Sequence, residues 1–499
     1  MQAVVASGHE KVSEAACEIM KNGGNAFDAV AAAGFASVVA EPLLTSLGGG
    51  GFLLSRLHSG KSVLYDFFVD TPGLGNPSSE TDPHFIPITV HFPGSDQIFN
   101  VGYGSIAVPG VLRGLLDVHT KQGRLPLKEI LAPALQYARH GVHFNRTQAY
   151  ILHLLQPIMN LSAPGRQLFS PHGEMLREGD HFSNKDLANF LETLPGDGYK
   201  EFYQGEIAHR ITKDMQQHEG ILTRRDLAAY RVVERQPLSI KYRNHTVLTN
   251  PWPSFGGTML AFALRWLERS MIGDIKYGSK QHLRGLITLM QELFERREDG
   301  DLLREGSFDD DFSGNVEKIR KAFGGTTHIS VLDRDGNAAS LTCSNGEGSG
   351  YIVPETGVML NNMMGEDDLH PDGFHADPPG KRIASMMSPS MILQDGNVRF
   401  VMGSGGSKRI WTALLHVICN ILDFKMSLNE AVFAPRLHWD GHHVQIEPGY
   451  DADIIAAIGD TFSVNSWQVK DVYFGGVHAV ANDGQGAGDK RRDGAVASC

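Results

Sequence analysis

Residues 324–346 read Gly-Gly-Thr-Thr-His-Ile-Ser-Val-Leu-Asp-Arg-Asp-Gly-Asn-Ala-Ala-Ser-Leu-Thr-Cys-Ser-Asn-Gly. Two runs rich in β-branched and apolar residues, 326–332 and 338–344, flank the turn formers Asp333 to Asn337. The pattern predicts a strand, a tight turn and a returning strand. The front edge of this hairpin carries chemistry. Gly324 and Gly325 lead directly into Thr326, so a hydroxyl opens a strand beside an unhindered glycine carbonyl. Attack of the Thr326 hydroxyl on the Gly325 carbonyl turns the amide into an ester, and water then releases a new α-amine on Thr326. That amine titrates near ~8 and lies within reach of its own hydroxyl, which makes it a built-in base. The same residues also suit a plain hairpin with a glycine-rich lead-in, and the stretch by itself favours that simpler reading.

The rest of the chain bounds the choice. Its 499 residues suggest about three domains, or one large layered domain, and are enough to bury a substantial core. A formal net charge of −12 with no basic stripe argues against nucleic acid or an anionic membrane as the main partner. The 4 cysteines, Cys17, Cys343, Cys419 and Cys499, show no metal-ligand spacing and no paired framework, which reads as a reducing compartment. No basic and apolar leader is visible before His9, so the expected location is cytoplasmic, or periplasmic or secreted if a leader was trimmed.

Helices are predicted over 10–22, stopped by Gly23-Gly24, and over about 26–39, which is apolar nearly all round. The four glycines Gly48 to Gly51 precede a strand without the Lys-Ser/Thr of a nucleotide loop, so close backbone packing is the better account. Strands are expected over 52–69 around Ser59-Gly60. Residues 71–104, rich in Pro, Gly and Ser, read as a surface excursion. Helices follow at 111–120 and from Leu127 to Gly141, then broken helix over 144–215, a strand at 238–249 and a helix at about 258–269. The charge run 292–312 reads as a solvated segment. Gly403 to Ser407 precede a helix at about 408–422. They lack the P-loop spacing, but adjacent glycine amides there also suit an oxyanion hole. Ser385-Met386-Met387-Ser388-Pro389 is a turn-prone loop whose hydroxyls suit a substrate carboxylate.

Taken in order, these pieces resemble the γ-glutamyltranspeptidase (glutathione hydrolase) family of N-terminal nucleophile hydrolases. The resemblance covers nearly the whole chain. It rests on Ser13-Glu14-Ala15 with Gly23 to Ala29, Glu41-Pro42 with Gly48 to Phe52, Leu222-Thr223 with Asp226 to Tyr230, and Pro251 to Gly257. It continues through Thr326-Thr327-His328, Leu360-Asn361-Asn362, Met387-Ser388-Pro389, Gly403-Ser404 and Arg491 to Ala495. The resemblance overturns the simple hairpin reading of Thr326. It implies an α+β fold, a four-layer αββα sandwich, and a zymogen that cuts itself between Gly325 and Thr326 into a large subunit, 1–325, and a small one, 326–499. The two parts are expected to form one intertwined globular unit.

It also implies that Thr326 is the nucleophile and its α-amine the base. Ser344 stands where the family has a Thr that hydrogen-bonds the nucleophile, and Gly405 and Gly406 match the oxyanion-hole glycines. Asn345 matches a substrate-binding Asn, Glu366 or Asp367 is the acid for the substrate amine, and Ser385 and Met386 occupy the family's Ser-Ser pair. No metal and no cofactor are implied. Two departures concern the substrate. Asp66-Phe67-Phe68 replaces the family's Asp-Phe-Arg, whose Arg clamps a carboxylate, and Met363 replaces a polar neighbour. An aromatic ring cannot supply a bidentate clamp.

The expected activity is therefore an autoprocessed amidohydrolase or acyltransferase. It would act on γ-glutamyl amides such as glutathione, or on a related acyl amide, with water or an amine as acceptor. The alternatives are a glutaryl-type acylase and a catalytically silent scaffold on the same fold, the latter motivated by Phe68, Met363 and Met386. A nucleotide binder built on the glycine loops is more distant.

Overall fold

In a computed structural model of the chain, residues 2–76, 84–92, 95–270, 275–298, 325–370 and 373–499 are described. Gly324 and residues 299–312 of the charge run lie outside them.

The protein mixes helix and sheet. Strands β1 (Val4–Ser7), β2 (Gly50–Arg56), β3 (Ser62–Phe67), β4 (Val233–Arg235), β5 (Leu238–Tyr242), β6 (His245–Thr249), β7 (Thr326–Leu332), β8 (Ala338–Ser344), β9 (Ser390–Gln394), β10 (Asn397–Gly405), β11 (Gly476–Ala481), β12 (Gly486–Gly488) and β13 (Ala495–Ser498) form two antiparallel sheets. The first runs β13-β1-β7-β8-β2-β3-β4 and the second β12-β11-β10-β9-β6-β5. The hairpin read from residues 324–346 is the centre of the first sheet: Thr326 pairs with Ser344 at one end and Leu332 with Ala338 at the turn.

Period-2 alternation decides what each side of this sheet touches. Val4, Ala6, Phe52 and Leu54 join the apolar core shared with the second sheet, whereas Val5, Leu53, Ile329, Val331 and Leu341 join the core under the helices. The polar residues of β7 obey the same rule. His328 lies against Gly403 of β10, and the Ser330 hydroxyl donates to the His478 carbonyl of β11.

Helices α1 (Glu10–Lys21), α2 (Ala26–Ala40), α3 (Val111–Gln122) and α4 (Leu127–His140) cover the first sheet. Asn25 and Asp28 cap α2 reciprocally, and every residue of that helix is buried, as its all-round apolar sequence requires. Helices α5 (Phe255–Arg269) and α6 (Ile410–Leu422) pack on the second sheet.

The excursion expected over 71–104 contains a hairpin, Ile86–Phe92 paired with Ser95–Val101, outside the two main sheets. The strand expected at 238–249 is two, because Arg243 at φ 51° turns the chain between β5 and β6. Among the described residues no helix is long and apolar enough to cross a membrane.

Candidate functional site

Thr326 opens β7 and is 4% exposed. Gly325, just before it, is held from two sides. The Ser344 hydroxyl, directly across the ladder, donates to the Gly325 carbonyl oxygen and accepts the Gly346 N–H at 3.0 Å. The Gly325 N–H is directed at the Glu347 carboxyl. One residue on, the Thr326 carbonyl accepts from Arg492 Nη1 at 3.1 Å. Burial pulls the Arg492 guanidinium down to about 10, with Arg409 adding to the effect and Asp489 and Glu41 opposing it.

Glycine is required where other backbones press on this strand pair. A methyl group at Gly405 would overlap the Thr326 carbonyl oxygen, and one at Gly49 would overlap the Ser344 carbonyl. The glycines of 48–51 thus serve close packing, as their sequence context indicated. Gly406 follows at φ 125°.

Beside Gly325 lies a cluster of acids and amides. Asn345, 2% exposed, leaves its Oδ1 without a hydrogen-bond partner. Glu347, 1% exposed, donates its N–H to Asn362 Oδ1 at 2.9 Å and accepts from Asn362 Nδ2 at 3.3 Å, while its Oε1 has no partner. Glu366 crowds Gly346, and its Oε1 is likewise unpartnered. Burial, with the charge of Asp368 adding to it and the Asn362 bond opposing, pushes Glu347 up to about 8. Burial and the two neighbouring acids raise Glu366 as well. The carboxyl of Asp368 accepts from the Ser407 hydroxyl at 2.5 Å.

Of the residues singled out in the sequence, Thr326, Ser344, Asn345, Glu366, Gly405 and Gly325 come together here. Asp367 is exposed, so of the two acids considered only Glu366 faces this cluster. Ser385 and Met386 lie against the start of α5: the Ser385 hydroxyl accepts the Met387 N–H at 3.1 Å, and Met386 is part of the apolar core. Phe68 and Met363, each 1% exposed, are also core residues, and Phe68 stacks on Phe52 with ring centroids 5.5 Å apart. Both side chains are thus packed into apolar surroundings, Phe68 against a residue of β2. The Arg382 guanidinium beside Phe68 donates to the Phe68 carbonyl and pairs with Asp70 at 3.1 Å.

Glu347 was not singled out in the sequence, and Glu41 and Arg492 entered only as parts of the family stretches, without a role. Glu41, 2% exposed, accepts the Thr327 hydroxyl at 2.9 Å on the helix-facing side of β7. Burial pushes its carboxyl up to about 7, against the Thr327 hydrogen bond and the Arg492 charge. The folded state thus holds a proton that the unfolded chain releases near pH ~4.5, and stability falls as pH rises from there through 7. That shift corresponds to about 3 kcal/mol. Glu41→Gln keeps an acceptor for Thr327 and removes the ionisation. Thermal melts at pH 5 and pH 8 should differ less for the variant than for the parent; an unchanged difference would dismiss Glu41 as its source.

Among the described residues no group of three or more His, Cys, Asp or Glu is disposed to hold a metal ion. A cleft of about 460 Å³ lined by Asn25, His58, Tyr65, Lys121 and Asn337 opens at the turn end of β7 and β8, a strand length of ~20 Å from Thr326.

The sequence profile of the Gamma-glutamyltranspeptidase family matches residues 12–302 and 308–499. The chain is 30% identical over 505 residues to a glutathione hydrolase proenzyme of Escherichia coli, covering 91% of this chain and 84% of that protein. It is 31% identical over 480 residues to the acylase ACY 1 proenzyme of Pseudomonas sp. (strain SE83), covering 91% and 86%. A crystal structure of cephalosporin acylase from Bacillus halodurans superposes with a TM-score of 0.82 at 25% identity, covering 99% of this chain and 95% of that one.

Proposed function

Because the chain belongs to the gamma-glutamyltranspeptidase family, we propose that it is a precursor enzyme that cuts its own Gly325–Thr326 bond and then turns over amides through Thr326. Its substrates are γ-glutamyl amides such as glutathione or closely related acyl amides. The observation that carries this reading is the grip on one peptide bond: the hydroxyl of Ser344 donates to the carbonyl of Gly325 immediately before a threonine at a strand end. The family's four-layer αββα sandwich is consistent with two facing sheets and helices packed on each.

Self-cleavage follows from this geometry. The Thr326 Oγ attacks the Gly325 carbonyl carbon, and the Ser344 O–H stabilises the charge growing on the oxygen. The C–N bond breaks as the nitrogen takes a proton, leaving an ester on Thr326. Water hydrolyses the ester, Gly325 becomes a carboxylate, and the α-amine of Thr326 is free. The products are a large subunit, 1–325, and a small one, 326–499. Their strands interleave in the first sheet, since β1 lies between β13 and β7 and β8 is followed by β2. The cut therefore leaves one folded unit.

In turnover the free amine accepts the hydroxyl proton as Thr326 attacks a substrate carbonyl. Backbone amides at Gly405 and Gly406 hold the oxyanion, and Arg492 fixes the Thr326 carbonyl so that the nucleophile keeps its orientation. Asn345 and Glu366 offer unpartnered oxygens to a substrate amine. Ser385 supplies a hydroxyl for a carboxylate, with Met386 in place of a second. The amine leaves, and water or a second amine takes the acyl group.

A second reading is glutaryl-type acylase, with which the relative named acylase is compatible; a glutaryl group lacks the α-amine but keeps the carboxylate, so Phe68 in place of a guanidinium weakens recognition of both substrates. Losing a charge-assisted carboxylate contact of this kind costs ~2–5 kcal/mol. Paired kinetics on γ-glutamyl-p-nitroanilide and glutaryl-p-nitroanilide should show weak preference for the γ-glutamyl compound and a KM well above micromolar for it. Efficient γ-glutamyl hydrolysis at micromolar KM would contradict the altered pocket.

A further inference from the structure

Cys17 and Cys499 are 482 positions apart in sequence, yet their sulfurs stand 2.6 Å apart in hydrogen-bonding contact. Both are free thiols in the structure. The approach is set by two layers of backbone. Strand β13 pairs with β1 through Val4 with Ser498 and Ser7 with Ala495, and the chain continues to Cys499, which exchanges backbone hydrogen bonds with Ala3. Helix α1 lies across the same edge. Ser13 and Cys17, one turn apart and so on one face, reach the Ala495 carbonyl at 3.2 Å and the Cys499 sulfur. Cys17 is buried and Cys499 half-buried, so the pair is open to a small reagent from the Cys499 side. Cys343 and Cys419 are buried elsewhere.

We propose that Cys17 and Cys499 form a disulfide that covalently joins the two subunits after self-cleavage. The bond itself follows from the packing of α1 on β13; its role as a tether between subunits rests on the proposed cut at Gly325–Thr326. The contact with Cys17, together with Lys21 and Arg334, lowers the Cys499 thiol, whereas the same contact and burial raise that of Cys17. Cys499 is therefore the attacking thiolate. It displaces one thiol from a small-molecule disulfide such as oxidised glutathione, giving a mixed disulfide. Cys17 then attacks the Cys499 sulfur and expels the second thiol. Two protein thiols are oxidised, one small disulfide is reduced, and the two cysteine protons end on the two released thiols. The tether matters where it is placed. β13 has one strand neighbour, β1, and belongs to the opposite subunit from it, so the bond adds a covalent link at an edge strand that otherwise meets the large subunit through hydrogen bonds to β1 and packing against α1.

The test uses the full-length protein after treatment with oxidised glutathione at pH 8. Titratable thiols under denaturant should fall from four to two, and proteolytic mapping should recover the Cys17 and Cys499 peptides as one linked species. A denaturing gel without reductant should show one species where the reduced gel shows two. Cys499→Ser should retain three thiols with and without oxidant, and its fragments should separate without reductant. Four thiols remaining after oxidation, or linkage of any other pair, would overturn the disulfide. A single chain on the reduced gel would remove the cut while the thiol count still decides the bond, so the two failures are told apart.

Discussion

Thr326→Ala is expected to leave the protein as one uncut chain with amidase activity lowered on the order of 10³-fold or more. The substitution removes the atom that attacks the Gly325 carbonyl and, in turnover, the atom that carries the acyl group. It removes little else: β7 pairs with β1 and β8 through backbone groups that the change does not touch. Fold and stability should stay close to the parent, so lost activity cannot be blamed on unfolding. Losing the nucleophile is among the largest single-residue effects on an enzyme, because groups that act as a unit fail together. Intact mass and an amide assay on the same preparation check both halves. A variant that still divides between Gly325 and position 326 would remove Thr326 from the account.

Gly405→Ala is the second large effect. A methyl group at 405 has no free space, because the carbonyl oxygen of Thr326 occupies it and the Arg492 guanidinium stands beside it. Both obstacles are held: β10 is locked to β11 through Gly405 and Gly476, and Arg492 is bonded to that same carbonyl. Relief must come from moving Thr326 or the backbone amides facing it. A displacement near 1 Å costs about 10²-fold in rate, and losing one oxyanion donor costs ~10²–10³-fold. We expect self-cleavage slowed by at least ~10²-fold and kcat reduced by a similar factor, with KM changed less. Unaltered processing kinetics in Gly405→Ala would show that the approach of these two strands is unrelated to the chemistry.

The parts of this account that were legible in the sequence are those written in local pattern. The hairpin 326–344 alternates with period 2 and turns on Asp, Gly and Asn, so its two strands were readable. Helices α1 and α2 announce themselves through apolar spacing and the Gly23-Gly24 stop, whereas the Asn25 cap emerged from the structure. The hairpin Ile86–Val101 was not readable, because Pro87 and the surrounding prolines and glycines mask a strand signal that tertiary context overrides.

The contacts that refine the site come from far along the chain. Arg492 reaches Thr326 across 166 residues and Glu41 reaches Thr327 across 286, and no spacing rule joins them. Glu347 follows Asn345-Gly346 with nothing local to mark it. The turn at Gly346 and the hydrogen bonds exchanged with Asn362 bring it beneath Gly325. The cysteines, read as an unpaired set, meet as Cys17 and Cys499 because β13 and α1 share one sheet edge. Phe68 shows the converse limit. Its replacement of the family's Arg was legible, but the direction of its ring, into the core against Phe52, depends on tertiary packing.

The central claim is that Thr326 becomes an N-terminus. N-terminal sequencing with intact mass of the purified protein tests it most directly. The account predicts two chains, one ending at Gly325 and one beginning Thr326-Thr327-His328. A preparation that hydrolyses amides while Thr326 is found only within an uncut chain would contradict it.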